Sequence, residues 1–149
     1  MASYRIVQIG DNILRQKAAQ VRRFNDNLHN LLDNMTITLK EADGVGLAAP
    51  QVGVSKQVVV INGTNGIIEL VNPVLVRAEG REEDEEGCLS VPDRQGYVPR
   101  ATYVEVKAQD RNGKEIIVKG EGLIARCMQH EIDHLHGILF IDRMTREIK

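Results

Sequence analysis

The chain has 149 residues, about the usual size of one domain, and a formal net charge of −2. This length is sufficient for a hydrophobic core without disulfides, and the small net charge argues against a surface built for nucleic acid or anionic membranes. No apolar run approaches the roughly 18 residues of a transmembrane helix, and Arg5 interrupts any signal-peptide pattern. We therefore expect a cytoplasmic protein with a single domain over residues 1–149.

Helical patterns come first along the chain. Asp11 is predicted to begin a short helical turn in "DNILR". From Asn25, the stretch "NDNLHNLLDNMTITLKEADG" places five apolar side chains on one helical stripe, which are those of Leu28, Leu31, Leu32, Met35 and Leu39. Gly44 follows this stretch and is predicted to end the helix.

Strand patterns dominate the middle of the chain. "KQVVVI" and "IIELVNP" are predicted strands separated by the turn residues "NGTNG", and "VLVRAEG" is predicted to form a further strand. The acidic run "EEDEEG" is expected to be a solvated loop. "TYVEVKAQD" alternates strictly between apolar and polar residues, as a strand does. "RNG" predicts a hairpin between this segment and "KEIIVKG".

A second helix is predicted over "GLIARCMQHEIDHLHG", ending at Gly137, before the short apolar segment "ILFIDRM". It should bury Leu123, Ile124 and Leu135 against a sheet. The order of elements predicts an α+β fold, with mostly antiparallel sheets packed around a C-terminal helix that carries the motif H-E-x-x-H.

The H-E-x-x-H motif consists of His130, Glu131 and His134. Residues four apart on a helix lie one above the other, so both histidines can reach one metal ion. Glu131 would lie beside the ion, where it could act as a general base on a bound water. Two histidines alone do not hold a catalytic metal well, so a third ligand is required.

Sequences downstream of the motif do not supply this ligand. A continuation H-x-x-G-x-x-H would need a third histidine where this chain has Phe140, and Glu147 lies close to the end of the chain. Upstream, Cys127 lies on the same helix about 10 Å along the axis from His134, too far to share an ion with both histidines. His29 is interpreted as structural or exposed.

His136 points nearly opposite to His134, which leaves Cys88 in "EEGCLSVP" as the third ligand. Two histidines, one cysteine and a water form a catalytic rather than a structural site, because one position stays open. A metalloprotease that cleaves internal peptide bonds remains one alternative. A non-catalytic, zinc-stabilised binding module is another.

Three motifs together resemble the bacterial peptide deformylase family: "GVGLAAPQVG" at 44–53, "EGCLS" at 86–90 and "QHEIDH" at 129–134. The resemblance covers essentially the whole chain, and implies a monomeric α+β catalytic domain over 1–149. The implied activity is removal of the formyl group from formyl-methionyl nascent peptides, at or near the ribosome, with no binding to nucleic acid or membranes. The implied cofactor is one Fe(II), replaceable by Zn(II), Ni(II) or Co(II), on Cys88, His130 and His134.

The resemblance also implies roles around the ion. Glu131 matches the catalytic glutamate, while the Gln51 side chain and the Leu89 backbone N–H match the donors to the oxyanion. The predicted substrate-binding set, which should form a narrow cleft and an apolar methionine pocket, comprises Gly44, Val45, Gly46, Glu86, Gly87, Leu123 and Cys127.

Some charged positions should support or modify this site. Glu86, Asp133 and Arg100 are expected around the ligands, with Asp133 paired to Arg100. Asp84 and Arg126 stand where the family often has apolar side chains, and we expect them to form an ion pair on the pocket rim. The arginine that usually follows "EGCLS" is matched by Arg94, or displaced by Gln95, which affects how the peptide backbone is anchored.

Overall fold

The structure, a computed structural model, describes residues 3–149. Within these residues the helices are α1 (Asp26–Glu41), α2 (Gly122–His134) and the short α3 (Phe140–Arg143). The strands are β1 (Gly46–Ala48), β2 (Val58–Gly63), β3 (Gly66–Glu79), β4 (Glu82–Cys88), β5 (Val91–Arg100), β6 (Tyr103–Gln109), β7 (Glu115–Glu121) and β8 (Arg146–Ile148). Short 3-10 helices cover Asn12–Arg15 and Ala49–Val52.

The strands form two antiparallel sheets, which confirms the predicted α+β class. One sheet has the order β1-β2-β3-β6-β7 and the other the order β4-β5-β8. β1 and β4 therefore each lie at an edge of their sheet, and both edges border the cleft described below. No helix within residues 3–149 is both long enough and apolar enough to cross a membrane.

Helix α1 forms as predicted from its apolar stripe. Asn25 caps its N-terminus by accepting a hydrogen bond of 3.2 Å from the Leu28 N–H, and the whole stripe is buried under β1 and β2. The prediction that Gly44 ends this helix was wrong. The helix ends at Glu41, and Asp43 adopts the left-handed conformation with φ of 54°, which Asp tolerates better than most side chains.

Helix α2 packs one face on the five-stranded sheet. Ala125, Met128 and Leu135 are fully or almost fully buried against residues of β2, β3 and β6. Leu123 was predicted to be buried, but 63% of it is exposed because the first turn of the helix faces the cleft. The helix ends at His134, before Gly137, where φ is +74° and a Cβ would overlap the Arg15 backbone.

The acidic run "EEDEEG" is part of β4, so the prediction of a loop was wrong. Its residues pair with β5 from Glu82↔Arg100 to Glu86↔Gly96. In the partner strand β5, "VPDRQGYVPR", apolar and polar residues do not alternate cleanly. Neither strand therefore has a local sequence pattern that predicts it. "VLVRAEG" continues β3 rather than forming a new strand, and the segment after α2 contributes α3 and β8.

Candidate metal centre

Three candidate metal ligands, one cysteine and two histidines, come together in the structure. Cys88 lies at the end of β4, while His130 and His134 project from successive turns of α2. One ligand atom from each lies within 4.8 Å of the other two, and Cys88 Sγ is 3.3 Å from His134 Nε2. Tetrahedral ligands with metal bonds of 2.0–2.3 Å are about 3.3–3.8 Å apart, so this donor set fits one metal ion.

Unsatisfied polar atoms support the same fit. Within residues 3–149, Glu131 Oε1 and His134 Nδ1 are the buried side-chain nitrogen or oxygen atoms that have no hydrogen-bond partner. Buried groups of this kind are rare, and they indicate an ion or water that completes the site. Both atoms belong to the H-E-x-x-H motif, but His134 Nδ1 is the ring nitrogen opposite Nε2, which approaches Cys88 Sγ, so only the Glu131 oxygen supports the metal centre.

The electrostatic environment of the two histidines also suits a cation. Burial disfavours a charged His130, yet the negative charge on Glu131, Cys88 and Glu86 outweighs burial and raises the His130 pKa well above its ordinary value. Burial and the positive charge nearby lower the pKa of His134 well below its ordinary value. The site thus attracts positive charge and keeps His134 as the neutral imidazole that a metal needs.

Glu131 is buried at 3% exposure beside these ligands. Burial raises the pKa of its carboxyl to about 7, although the positive charges of His130 and Arg100 oppose the increase. A carboxyl with this pKa can accept and return a proton near neutral pH.

Glu86 connects the candidate ligand His130 to a buried charge network. It accepts a hydrogen bond of 2.8 Å from His130 Nδ1 and two, of 2.9 and 3.0 Å, from Arg100. Arg100 also donates to Asp133 at 2.6 Å, as expected, and Asp133 accepts two further hydrogen bonds from Arg143. Burial alone would raise the pKa of Glu86, but the donors lower it to about 2 and keep the carboxylate charged.

Arg126 belongs to this network and also lines the cleft. It is buried at 8% exposure and donates to Glu86 at 2.7 Å and to the carbonyls of Val98 and Glu82 at 2.7 and 2.8 Å. Asp84 is exposed on β4, so the expected ion pair between Asp84 and Arg126 does not form. Neither the burial of Arg126 nor the Asp133 contact of Arg143 had a signal in the sequence.

Gln51 is oriented by its surroundings. Its carbonyl oxygen accepts from the Ala48 N–H at 2.9 Å, which directs the amide nitrogen towards Ser90 Oγ at 3.2 Å and Cys88 Sγ at 3.5 Å. Leu89 directly follows Cys88 and lines the same cavity. The structure therefore places both predicted oxyanion donors next to the candidate ligand Cys88, while Ser90 is a neighbour that the sequence did not indicate.

A cleft of about 660 Å³ opens beside the metal centre. The whole predicted substrate-binding set lines it, together with Gln51, Leu89, Cys88, His130 and Glu131. At Gly46 the backbone of the cleft wall lies close to two side chains of α2. A Cβ added there would overlap Cys127 Sγ and lie 2.9 Å from Glu131 Oε2. Burial, with the negative charge of Glu131 and Glu86, raises the Cys127 pKa well above its ordinary value, so this thiol stays neutral.

Further residues line the cleft without having been predicted. They come from β5 and from the end of the chain, and include Asp93, Ile148 and Lys149. The arginine and glutamine considered for peptide anchoring both line it, and Arg94 forms a two-bond ion pair with Glu147.

Comparison with known proteins connects this geometry to one family. The sequence model of the family described as polypeptide deformylase matches residues 3–149. A peptide deformylase of Desulfitobacterium hafniense is 56% identical over 98% of this chain and 97% of its own length. Crystal structures of peptide deformylases from Legionella pneumophila and Thermotoga maritima superpose with TM-scores of 0.92 and 0.93, at 46% and 41% identity. Both superpositions cover 96% of this chain. They cover 86% of the Legionella protein and 98% of the Thermotoga protein.

Proposed function

The chain belongs to the polypeptide deformylase family and is a hydrolase that removes the N-formyl group from nascent polypeptides, and from this premise we propose which of its residues perform the reaction. The observation that carries the proposal is the position of Glu131. Glu131 lines the cleft beside the cluster of Cys88, His130 and His134, and one of its carboxylate oxygens is buried without a hydrogen-bond partner.

Cys88, His130 and His134 hold one metal ion in this proposal. The family uses a metal ion, and we propose Fe(II) here, with Zn(II), Ni(II) or Co(II) as functional substitutes. One thiolate and two imidazoles, with His130 releasing its proton as the ion binds, leave a coordination position open for water or substrate. When bound, the ion lowers the pKa of water and polarises the formyl carbonyl.

Glu131 carries the proton through the reaction. Its carboxylate removes a proton from the attacking water, and the resulting carboxylic acid delivers that proton to the nitrogen of the departing methionine. A pKa of about 7, caused mainly by burial, suits both halves of this exchange. The products are formate and a free amino terminus.

Gln51 and Leu89 stabilise the negative charge that develops on the formyl oxygen. The Gln51 amide is held by Ala48 and Ser90, so it needs little reorganisation when the charge appears. A pre-oriented donor of this kind contributes about 3–4 kcal/mol to transition-state stabilisation. The Leu89 backbone N–H supplies the second donor in this proposal.

The remaining cleft residues bind the formylated peptide. Val45, Leu123 and Cys127 provide an apolar surface for the methionine side chain, and 63% of Leu123 is exposed until a ligand covers it. The edge of β1 offers backbone groups to an extended peptide, which would add as a strand next to Gly46. The close approach of Gly46 to Glu131 would then place the formyl group beside the base.

We also propose that residues 1–149 act as one catalytic domain and as a monomer. Its substrates are nascent chains, so we place its action in the cytoplasm near the ribosome.

Formate release tests this function. The protein is purified without oxygen, and its metal is identified and counted. Formate release is measured with a formyl-Met tripeptide, and cleavage of internal peptide bonds is measured with an unformylated peptide whose two ends are blocked. We expect rapid formate release, about one iron per chain and no internal cleavage. If the metal-loaded protein releases no formate, the proposal is contradicted. Cleavage of an internal peptide bond would indicate a metalloprotease.

A further inference from the structure

Strand β8 forms part of the cleft wall. Ile148 and the following Lys149 line the same cavity as Cys88 and Glu131. β8 is an edge strand of the three-stranded sheet, and its register places Ile148 opposite Gln95 of β5. The cavity therefore extends from the metal centre along the first half of β5 as far as the C-terminal strand.

The cavity is larger than the methionine pocket requires. Its volume of about 660 Å³ lies within the range of roughly 300–1,000 Å³ typical of sites that enclose drug-sized ligands. The methionine pocket proposed above uses the segment before β1 and one face of α2. The part lined by β5 and β8 is therefore available to the residues that follow the methionine in a peptide.

An ion pair holds β8 in this position. Arg94 donates from Nε and Nη2 to the two carboxylate oxygens of Glu147, both at 3.0 Å. This side-on geometry fixes the relative orientation of the two side chains better than a single contact does. Arg94 itself lines the cavity, so the pair connects the cleft surface directly to β8.

Close backbone packing and an aromatic contact fix the same register. An added Cβ at Gly96 would lie 2.7 Å from Met144 Sδ and 3.0 Å from the Arg146 carbonyl oxygen. The Arg146 guanidinium lies 4.5 Å from the centre of the Tyr97 ring, within the range of a cation–π contact. β8 is thus held on β5 at consecutive residues, although it is only three residues long.

We propose that the Arg94–Glu147 pair positions β8 as a binding wall for the second and third residues of the formylated peptide, with Ile148 contacting them. This inference rests on the function proposed for the cleft. Arg94 and Glu147 are positioning residues, because they act through the placement of β8. They determine the affinity for longer substrates and leave the chemistry at the formyl group unchanged.

Substrate length provides the test. KM and kcat are measured with formyl-methionine amide and with formyl-Met-Ala-Ser, for the unaltered protein and for Arg94→Ala. We expect KM for the tripeptide to rise about threefold to fivefold, with kcat unchanged and the amide substrate unaffected. Ile148→Ser should act in the same direction. The reversed pair, Arg94→Glu combined with Glu147→Arg, should restore most of the tripeptide affinity.

Lys107→Ala is the matched control, because it removes another exposed ion pair, to Glu115 at 3.0 Å, far along the five-stranded sheet. It should change neither substrate. If Arg94→Ala changes KM equally for both substrates, or if the reversed pair does not recover tripeptide affinity, the role of β8 is overturned. The proposed function would be unaffected by either result. If the unaltered enzyme releases formate from neither substrate, the proposed function fails and this inference falls with it.

Discussion

Glu86 Oε1 lies 2.8 Å from His130 Nδ1, and this hydrogen bond joins a candidate metal ligand to a network of buried charges. Because Nδ1 is engaged, the other ring nitrogen of His130 is the one that can bind the metal. The remaining acceptor capacity of Glu86 is used by Arg100 and Arg126, so the carboxylate cannot turn away from the histidine. The orientation of His130 is therefore set before the ion binds.

Glu86→Gln should weaken metal binding. An amide is a poorer acceptor than a carboxylate and leaves two buried arginines with less compensation, so we expect metal affinity to fall by about 10–100-fold. Competition with a chelator measures the change. Glu83→Gln, an exposed position on the same strand, is the control and should bind metal normally. Equal affinity in the two variants would remove Glu86 from the metal centre.

The same residue should make stability depend on pH. The folded-state pKa of Glu86 is about 2, against 4.5 for the unperturbed group. A lowered pKa stabilises the fold fully above about 4.5, and this contribution is lost as pH falls towards about 2. In metal-free protein, urea unfolding should show a loss of up to about 3 kcal/mol across this window. Glu86→Gln should have a flatter profile, and parallel profiles would contradict the buried network.

The two cysteines should behave differently. Cys88→Ser should lose or weaken the metal, because an alcohol is a much poorer ligand than a thiolate. Cys127→Ser should keep about one metal per chain. The Cys127 thiol is not a member of the cluster of candidate ligands, and burial keeps it neutral. Elemental analysis of the two purified variants provides the comparison. Full metal content in Cys88→Ser would exclude Cys88 as a ligand.

Gly46→Ala should reduce activity by a steric effect. Its methyl group would overlap Cys127 Sγ and press on the Glu131 side chain, which narrows the cleft and displaces the base. We expect kcat/KM for a formyl-Met tripeptide to fall at least about 100-fold, because small misplacements of reacting groups have effects of this size. Adding Cys127→Ala should recover part of the loss. A fully active single variant would show that the backbone here can move freely.

The two histidines of the candidate metal site were predictable from sequence because their spacing is local, whereas Cys88 on β4 was reached by elimination and by family resemblance. Helical periodicity places His130 and His134 on one face, and axial distance excludes Cys127 from sharing their ion. The prediction of Asp133 pairing with Arg100 was also confirmed, but it came from family resemblance. The structure places Gln51 and the predicted substrate-binding set around one cleft, and their catalytic and binding roles remain predictions.

Features that depend on distant partners were not predictable. The acidic segment forms β4 only because β5 pairs with it, and β5 carries no clean alternation of its own. The sequence predicted an ion pair of Arg126 with Asp84, because nothing local shows that two carbonyl groups and Glu86 surround Arg126. The contribution of Ile148 to the cleft depends likewise on pairing with Gln95, which lies more than fifty residues away in the chain.

The most direct test of the central claim is formate release by Glu131→Gln, with metal content measured on the same preparation. The substitution keeps the size of the side chain and removes the proton acceptor. We predict about one metal per chain, as in the unaltered protein, and turnover reduced by about 10²–10⁴-fold. Normal turnover with metal bound would show that Glu131 is not the base, and the mechanism proposed for this cleft would be wrong.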